Sequence, residues 1–120
     1  FVGPFCEIQA NVIVGDRTKV QSHTFVCEGV DIGADCFIGH GVMFVNDTFS
    51  IGRPARGDKS LWRHTKVGDN VSIGNNATIL PVEICAGVVI GAGAVVTKDI
   101  KTPGKYTGNP ARRLQSANSV

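Results

Sequence analysis

Hydrophobic side chains recur at every sixth position over most of the chain. Before residue 45 these recurring positions are Val2, Ile8, Val14, Val20, Val26, Ile32, Ile38 and Phe44. Four residues after each of them comes a cysteine, a valine or a threonine, and glycine often follows directly. The same spacing resumes at Val67, continues to Ile79 and restarts one residue early at Ile84. A fixed period of this kind predicts a fold built from one small unit repeated along the chain.

Each six-residue unit has room for one short strand and one sharp corner. Three such units close one triangular coil, and successive coils pair with each other as a parallel sheet. The recurring valine or isoleucine fills the interior of this prism, and only a small side chain fits near the corner. A glycine directly after the recurring position tolerates the unusual backbone of the corner. The pattern therefore predicts an all-β fold, a parallel β-helix.

A long excursion interrupts the spacing once. The step from Phe44 to Val67 is not a multiple of six, so the two positions do not belong to one uninterrupted repeat. The segment at about 46–66 contains glycine, proline and several basic residues, a composition typical of a loop. We expect it to leave the prism at one corner and to return at the next wall. Long loops inside compact folds are usually functional or disordered, so the excursion is a place to look for a site.

A second, smaller irregularity follows the excursion. The step from Ile79 to Ile84 is one residue shorter than the repeat and includes a proline, which indicates a shortened corner. The predicted organisation is a β-helix over residues 1–102 that carries the loop 46–66, followed by a C-terminal extension over residues 103–120.

Composition narrows the classes of function. The net charge is +2 and the isoelectric point is about 8.5, a balance too mild to predict binding to nucleic acid or to a membrane. The sequence has no run of about 18 apolar residues, which argues against a membrane-spanning helix. The four cysteines form no CxxC pair, so neither a zinc knuckle nor a redox motif is indicated. We expect reduced thiols, no disulfide within the chain and a cytoplasmic location.

Four segments resemble a known family. Residues 90–99, Ile-Gly-Ala-Gly-Ala-Val-Val-Thr-Lys-Asp, and 108–112, Gly-Asn-Pro-Ala-Arg, resemble the ending of the hexapeptide-repeat acyltransferases. Residues 20–30, Val-Gln-Ser-His-Thr-Phe-Val-Cys-Glu-Gly-Val, and 38–47, Ile-Gly-His-Gly-Val-Met-Phe-Val-Asn-Asp, resemble the branch that acetylates amino groups on nucleotide-linked sugars. That branch includes the 3-amino-3,6-dideoxyhexose and 3-amino-glucuronate N-acetyltransferases. The resemblance covers nearly the whole chain.

The resemblance implies both a fold and an activity. The fold is a left-handed parallel β-helix, usually a homotrimer, with acetyl-CoA as donor and without a metal. The activity is transfer of the acetyl group to the amine of a nucleotide amino sugar, a precursor of surface polysaccharide. The donor is expected to lie near the terminal coils, and the resemblance assigns its binding to Gly91, Ala92, Lys98 and Arg112.

The spacing also brings polar residues together. Glu28 and Asn46 are separated by the length of one coil, and each lies two positions after a recurring residue. We expect them to stack at the same corner on neighbouring coils, about 4.8 Å apart. Asp47 begins the excursion there, and His23 lies one corner back on the coil of Glu28. Together with the resemblance, this predicts that Asn46, Asp47, Glu28 and His23 form the catalytic set.

Two other functions remain open at the level of sequence. Some left-handed β-helix proteins are zinc carbonic anhydrases that use three histidines. Here the separation of His23 and His40 is one residue short of a coil, and His64 lies in the excursion, so a zinc site with three ligands is not expected. The second is a non-catalytic scaffold in which the repeat is structure only. Acetyl-CoA should raise the melting temperature of an enzyme and leave that of a scaffold unchanged.

Overall fold

The repeat folds into a series of very short strands. The computed structural model describes residues 1–115. In chain order its strands are β1 (Glu7–Ile8), β2 (Ile13–Val14), β3 (Lys19–Val20), β4 (Phe25–Val26), β5 (Val30–Ile32), β6 (Phe37–Ile38), β7 (Met43–Phe44), β8 (Thr65–Val67), β9 (Ser72–Ile73), β10 (Thr78–Ile79), β11 (Glu83–Ile84), β12 (Val88–Ile90), β13 (Val95–Val96), β14 (Gly104–Thr107) and β15 (Arg112–Arg113). One 3₁₀ helix, Lys59–Leu61, lies in the excursion. No helix within residues 1–115 has the length and apolar character needed to cross a membrane.

The strands stack into the three walls of a prism. Wall 1 contains β3, β6, β9, β12 and β14, with β15 added antiparallel at its edge. Wall 2 contains β1, β4, β7, β10 and β13, and wall 3 contains β2, β5, β8 and β11. All pairs within the walls are parallel except that of β14 with β15, and up to β13 every third strand belongs to the same wall. This confirms the predicted all-β parallel β-helix.

The pairing between coils measures the length of each coil. Ile8 lies opposite Val26, the recurring position three repeats later, which is one regular coil. Phe44 lies opposite Ile79, a much longer step, because the excursion is inserted between them. Ile79 lies opposite Val96, a step one residue shorter than a regular coil, because the corner before β11 is shortened. Both predicted breaks in the spacing are therefore present, and the three walls follow in the same order before and after each break.

From Val20 onward the recurring apolar residues point inward and form the core. The largest fully buried side chains include those of Phe44, Ile32, Ile38, Ile73, Ile79 and Ile90. Parallel register stacks each of them on the equivalent side chain of the next coil, as Ile38 stacks on Ile73. Full burial of one such isoleucine contributes roughly 1.5–3 kcal/mol. The residues beside them on the strands point outward, and Ile13 is 61% exposed.

Glycine is needed at the corners for a reason that differs from the prediction. Gly15 and Gly33, directly after recurring positions, do not have a positive φ. A Cβ on Gly15 would collide with the backbone of Gly33 on the next coil, so the close approach of successive coils requires glycine there. On the same two coils the left-handed residues of this corner are Arg17 and Asp35, with φ of 61° and 59°.

The prism extends slightly past the predicted boundary at residue 102. Ile100 bridges to Ile84 on wall 3, and β14 pairs in parallel with β12 on wall 1. Residues 104–107 therefore belong to the β-helix, and β15 then folds back onto β14. The predicted extension starts later than expected, and its residues 116–120 lie outside the described residues.

The four cysteines are free thiols. Cys36 is buried, and its thiol donates to the Gly68 carbonyl oxygen at 3.1 Å. Cys6 is only partly buried, and its thiol donates to the Gln21 carbonyl oxygen at 3.0 Å. Burial raises the pKa of the Cys27 thiol to about 11, so little reactive thiolate forms there at neutral pH. The cytoplasmic location expected from the cysteines stays a prediction.

An inward isoleucine should stabilise the prism far more than an outward one. Ile38→Ala removes a fully buried side chain and leaves a cavity, which we expect to lower the free energy of unfolding by about 2–5 kcal/mol. Ile13→Ala is the matched control on an exposed face and is expected to cost less than about 1 kcal/mol. Urea unfolding followed by circular dichroism measures both. Equal losses for the two variants would contradict the assigned inward face.

Candidate functional site

Two corners of the prism carry almost all of the predicted site residues. The corner between walls 2 and 3, called here the loop corner, consists of residues 9–12, 27–29, 45–64, 80–82 and 97–99 of successive coils. The corner between walls 1 and 2, called here the groove corner, includes residues 21–24, 39–42, 74–77 and 91–94. Of the predicted site residues, Arg112 alone lies at neither corner.

Glu28 and Asn46 stack at the loop corner, as their spacing predicts. The Asn46 side-chain Nδ2 donates to the Glu28 backbone carbonyl oxygen at 3.1 Å, and Asn46 is only 9% exposed. The backbone carbonyl oxygen of Asn46 accepts a hydrogen bond from the Arg63 N–H at 2.9 Å. Asn46 therefore starts the excursion, holds its far end and binds the coil of Glu28.

The Glu28 carboxylate is held on both of its oxygens. Oε1 accepts a hydrogen bond from Lys59 Nζ at 3.1 Å, and Oε2 accepts one from Asn11 Nδ2 at 3.4 Å. The backbone N–H of Glu28 donates to Gln9 Oε1 at 3.1 Å. The hydrogen bond from Lys59 is the main cause that lowers the pKa of Glu28, against the opposing effect of desolvation. The carboxylate is therefore ionised at neutral pH.

The end of the excursion covers this carboxylate and forms a cleft of about 200 Å³. The cleft is lined by Asn11, Glu28, Gly29, Lys59, Trp62, Arg63 and His64. His64 Nδ1 lies 3.2 Å from the Gly29 carbonyl oxygen, and a Cβ on Gly29 would come within 2.8 Å of the same ring nitrogen. Gly29 also has a φ of 88°, a backbone conformation that favours glycine. The cleft combines one carboxylate with basic side chains and an indole ring.

Asp47 closes the first half of the excursion. Its Oδ1 accepts a hydrogen bond from the Phe49 N–H at 3.0 Å, and its Oδ2 accepts one from the Ala55 N–H at 2.7 Å. Ala55 is buried between exposed neighbours, so this hydrogen bond anchors the middle of the loop. Asp47 is not among the residues that line the cleft around Glu28. The geometry favours a role in loop closure over the predicted catalytic role.

His23 lies at the groove corner, across wall 2 from Glu28. Its ring stacks on Phe5 with ring centroids 5.1 Å apart and planes 30° apart. At the same corner the Ser22 Oγ lies 2.9 Å from His40 Nδ1. A single chain therefore brings Glu28 and Asn46 together but does not bring His23 to them.

A groove of about 390 Å³ lies at the groove corner of the later coils. It is lined by Val89, Gly91, Ala92, Lys105, Thr107 and Leu114. Two of the predicted donor-binding residues, Gly91 and Ala92, are thus in one groove, and their small size leaves the backbone accessible. The lining is mostly apolar with one positive charge, which suits a slender chain that carries a negatively charged group.

The other two predicted donor-binding residues are placed differently. Arg112 lies on β15 opposite Thr107, which lines the groove. Lys98 is exposed at the loop corner, on the other edge of wall 2. The structure therefore brings Arg112 near the groove and does not bring Lys98 there.

The three histidines do not converge. His23 and His40 lie at the groove corner, whereas His64 lies at the loop corner. Among residues 1–115, no group of three histidine, cysteine or acidic side chains is placed to hold a metal ion. This arrangement gives the zinc alternative no geometric support.

A further depression of about 470 Å³ lies on the outer face of wall 3. Its lining includes Lys66, Glu83, Asp99 and Lys101, and no predicted site residue. Alternating lysine and carboxylate side chains are typical of a solvated face, so we assign no function to this depression.

Several residues that line the cleft and the groove are not predicted from the sequence. Trp62 lies in the excursion, where the period is lost, although it is the chain's one tryptophan and stands beside basic residues. Asn11 precedes Glu28 by one residue less than a coil, yet it lies at the same corner. Lys105 and Thr107 fall within the predicted extension, because the predicted boundary separates β14 from the prism.

The ion pair at the loop corner predicts a measurable titration. Glu28 is expected to have a pKa below the ordinary glutamate value of about 4.3, because Lys59 stabilises its ionised form. The stabilisation is present above that ordinary value and is lost as the pH falls through the lowered pKa. Lys59→Met should move the pKa of Glu28 upward. The carboxyl carbon shift of Glu28, followed by NMR against pH, measures it, and an unchanged pKa in the variant would contradict the pairing.

Comparison with known proteins places the chain among relatives that are mostly longer. Residues 64–98 match the family model described as the hexapeptide repeat of succinyl-transferase. The chain is 36% identical over 118 residues to the bifunctional protein GlmU of Rubrobacter xylanophilus, a match that covers 97% of this chain and 22% of GlmU. The chain thus spans about a fifth of that relative's length.

Solved structures show the same fold. The maltose O-acetyltransferase from Clostridium difficile 630 matches with a TM-score of 0.79 and 30% identity, over 98% of this chain and 66% of that one. A hexapeptide-repeat-containing acetyltransferase from Vibrio cholerae, solved with acetyl coenzyme A, matches with a TM-score of 0.75 and 25% identity over the same shares. These likenesses confirm the left-handed parallel β-helix. In its repeat, its fold and these likenesses, the chain is similar to the hexapeptide-repeat acetyltransferases.

Proposed function

We propose that this chain is the β-helix of an acetyl-CoA-dependent N-acetyltransferase that acts on the amino group of a nucleotide-linked amino sugar, a precursor of surface polysaccharide. The observation that carries the proposal is the ionised Glu28 carboxylate in a cleft at the loop corner, with Asn46 of the next coil bound to the Glu28 backbone carbonyl oxygen. A separate, largely apolar groove lies beside Gly91 and Ala92. The Glu28 carboxylate suits a cationic amine, and the groove suits an acyl donor.

The cleft at the loop corner binds and orients the acceptor amine. A sugar amine is largely protonated at neutral pH, and the Glu28 carboxylate attracts that ammonium form. The amine must then lose a proton before it can attack a thioester. Asn46 does not line the cleft; its Nδ2 binds the Glu28 backbone carbonyl oxygen and so helps to hold the carboxylate in position. The ammonium releases its first proton to solvent, and the leaving thiolate takes up the second proton that the nitrogen loses as the amide forms. Orientation then supplies much of the rate without a strong protein base.

The groove fits acetyl-CoA by its chemistry. When bound, acetyl-CoA supplies the acetyl group as a thioester. Gly91 and Ala92 leave backbone groups open to a narrow arm, because no bulky side chain intervenes. Lys105 and Arg112 supply positive charge for phosphate groups. Lys98 remains a candidate for a phosphate contact from the loop corner.

The cleft and the groove lie on opposite edges of wall 2 within one chain. A groove of one copy that faces the loop corner of a neighbour unites the two halves, so we propose shared sites in a homotrimer. Apolar side chains on outward faces support this assembly, since Phe37 and Met43 are each 43% exposed and Val89 is 38% exposed. Threefold closure suits a prism with three walls.

Variants at the loop corner test the acceptor site. Asn46→Ala is expected to lower kcat/KM for the amino sugar by roughly 10- to 1000-fold, where each factor of ten is about 1.4 kcal/mol of transition-state stabilisation. Glu28→Gln is expected to raise the acceptor KM, because a neutral amide attracts an ammonium group less strongly. Release of CoA, assayed with a panel of nucleotide amino sugars, measures both effects.

Two further variants control this experiment. Glu83→Gln makes the same change of charge on an exposed wall and should leave kcat and KM unchanged. His23→Asn tests another member of the predicted set, and a loss below tenfold means that His23 is not the general base. Near-full activity of both Asn46→Ala and Glu28→Gln would place the acceptor site elsewhere, with His40 as the next candidate.

Thermal unfolding tests the donor groove and separates an enzyme from a scaffold. Acetyl-CoA at 100 times its Kd should stabilise the protein by about 2.7 kcal/mol and raise Tm. Ala92→Trp fills the groove and should abolish most of that rise. Ala86→Trp, at an exposed corner outside the groove, is the matched control and should keep it. A scaffold would show no rise with any of the three proteins.

A further inference from the structure

Lys59 occupies the position in the cleft that a cationic ligand would take. Its Nζ lies 3.1 Å from Glu28 Oε1 and 6.0 Å from the centroid of the Trp62 ring. An ammonium group at this place is attracted by the carboxylate and by the face of the indole ring. The cleft therefore contains a small cation subsite, formed by Glu28 and Trp62 and filled by the protein's own lysine.

The two partners of this ion pair differ in how firmly they are held. The Glu28 side chain is 17% exposed; Asn11 binds its carboxylate, and Asn46 binds its backbone carbonyl oxygen from the next coil. The Lys59 side chain is 62% exposed and projects from the short 3₁₀ helix of the excursion. The carboxylate is thus part of the rigid prism, whereas the lysine reaches it from the loop on a flexible stem.

We propose that the Lys59 ammonium is an internal stand-in for the acceptor ammonium, which displaces it from the subsite formed by Glu28 and Trp62. The exchange replaces one positive charge by another, so the charge of the subsite does not change. The ligand class is a primary ammonium on a compact polar group that fits a cleft of about 200 Å³. This inference rests on the proposed function, because it names how the acceptor enters the same site.

The energies allow the exchange. An ion pair whose lysine is mostly exposed is weak, because solvent screens the charge and the lysine loses side-chain entropy on pairing. Displacement therefore needs no rearrangement of the prism, only rotation of one long side chain. In the free protein the hydrogen bond from Lys59 occupies the carboxylate and lowers the pKa of Glu28. A neutral acceptor, such as a sugar hydroxyl, gains nothing from displacing a charged group, so the subsite favours amines over alcohols.

Binding of methylammonium to Lys59→Met tests the proposal without a nucleotide sugar. The carboxyl carbon shift of Glu28 is followed at neutral pH while methylammonium chloride is added, with sodium chloride at equal ionic strength as the salt control. The half-maximal shift is expected at a concentration about two- to fivefold lower in Lys59→Met than in the natural sequence, because the internal competitor is absent. Lys59→Arg, which keeps the charge, should need at least as much methylammonium as the natural sequence.

Arg53→Met is the matched control, because it removes the same charge from an exposed position of the same loop outside the cleft. It should titrate like the natural sequence. Equal titration of Lys59→Met and the natural sequence, or no response of Glu28 in the variant, would overturn the stand-in role. If the natural protein acetylates no nucleotide amino sugar while methylammonium binds Lys59→Met more tightly, the proposed function fails and the subsite stands. If acetylation occurs without that gain in binding, the subsite alone fails.

Discussion

The stacking of one triangular coil on the next is the constraint on which the rest of the structure depends. Parallel pairing places Ile38 opposite Ile73, and each further coil repeats that alignment for every wall. The buried side chains fill a narrow interior, so the walls admit little change in length or shape. Changes in chain length are accommodated at the corners. The position of each corner residue along the prism axis is set by the coil to which it belongs. Chemistry in this fold is therefore located at corners.

The position of the excursion depends on this stacking of coils. It begins and ends at one corner, where Asn46 accepts a hydrogen bond from the Arg63 N–H and Asp47 binds the backbone of the loop. The closed loop brings Lys59 and Trp62 over the Glu28 carboxylate, which the prism holds from below. A rigid carboxylate and a loop cation on a flexible stem thus meet at one place. That arrangement can exchange an internal cation for an external one while the prism stays unchanged.

The sequence predicts the walls well because the period depends on local geometry that repeats in every coil. It also predicts the Glu28–Asn46 stack, because one full coil separates them. The hydrogen bonds of Asp47 and the contacts of Lys59 depend on how the loop folds back onto the prism. The six-residue period does not extend across that loop, so it does not predict them. His23 and Glu28 lie at consecutive corners along the chain, but wall 2 separates them in space. Contacts across the irregular loop, and between copies of the chain, are therefore beyond prediction from spacing.

The central claim is that Glu28 receives the acceptor amine at the loop corner. A crystal structure of the protein with CoA and a nucleotide amino sugar tests it most directly. The account predicts the sugar amine within hydrogen-bond distance of a Glu28 carboxylate oxygen, about 2.7–3.1 Å, with Lys59 Nζ withdrawn from that oxygen. It also predicts CoA along Gly91 and Ala92 of a neighbouring copy. An amine bound at the groove corner, with the Lys59–Glu28 pair intact, would contradict it.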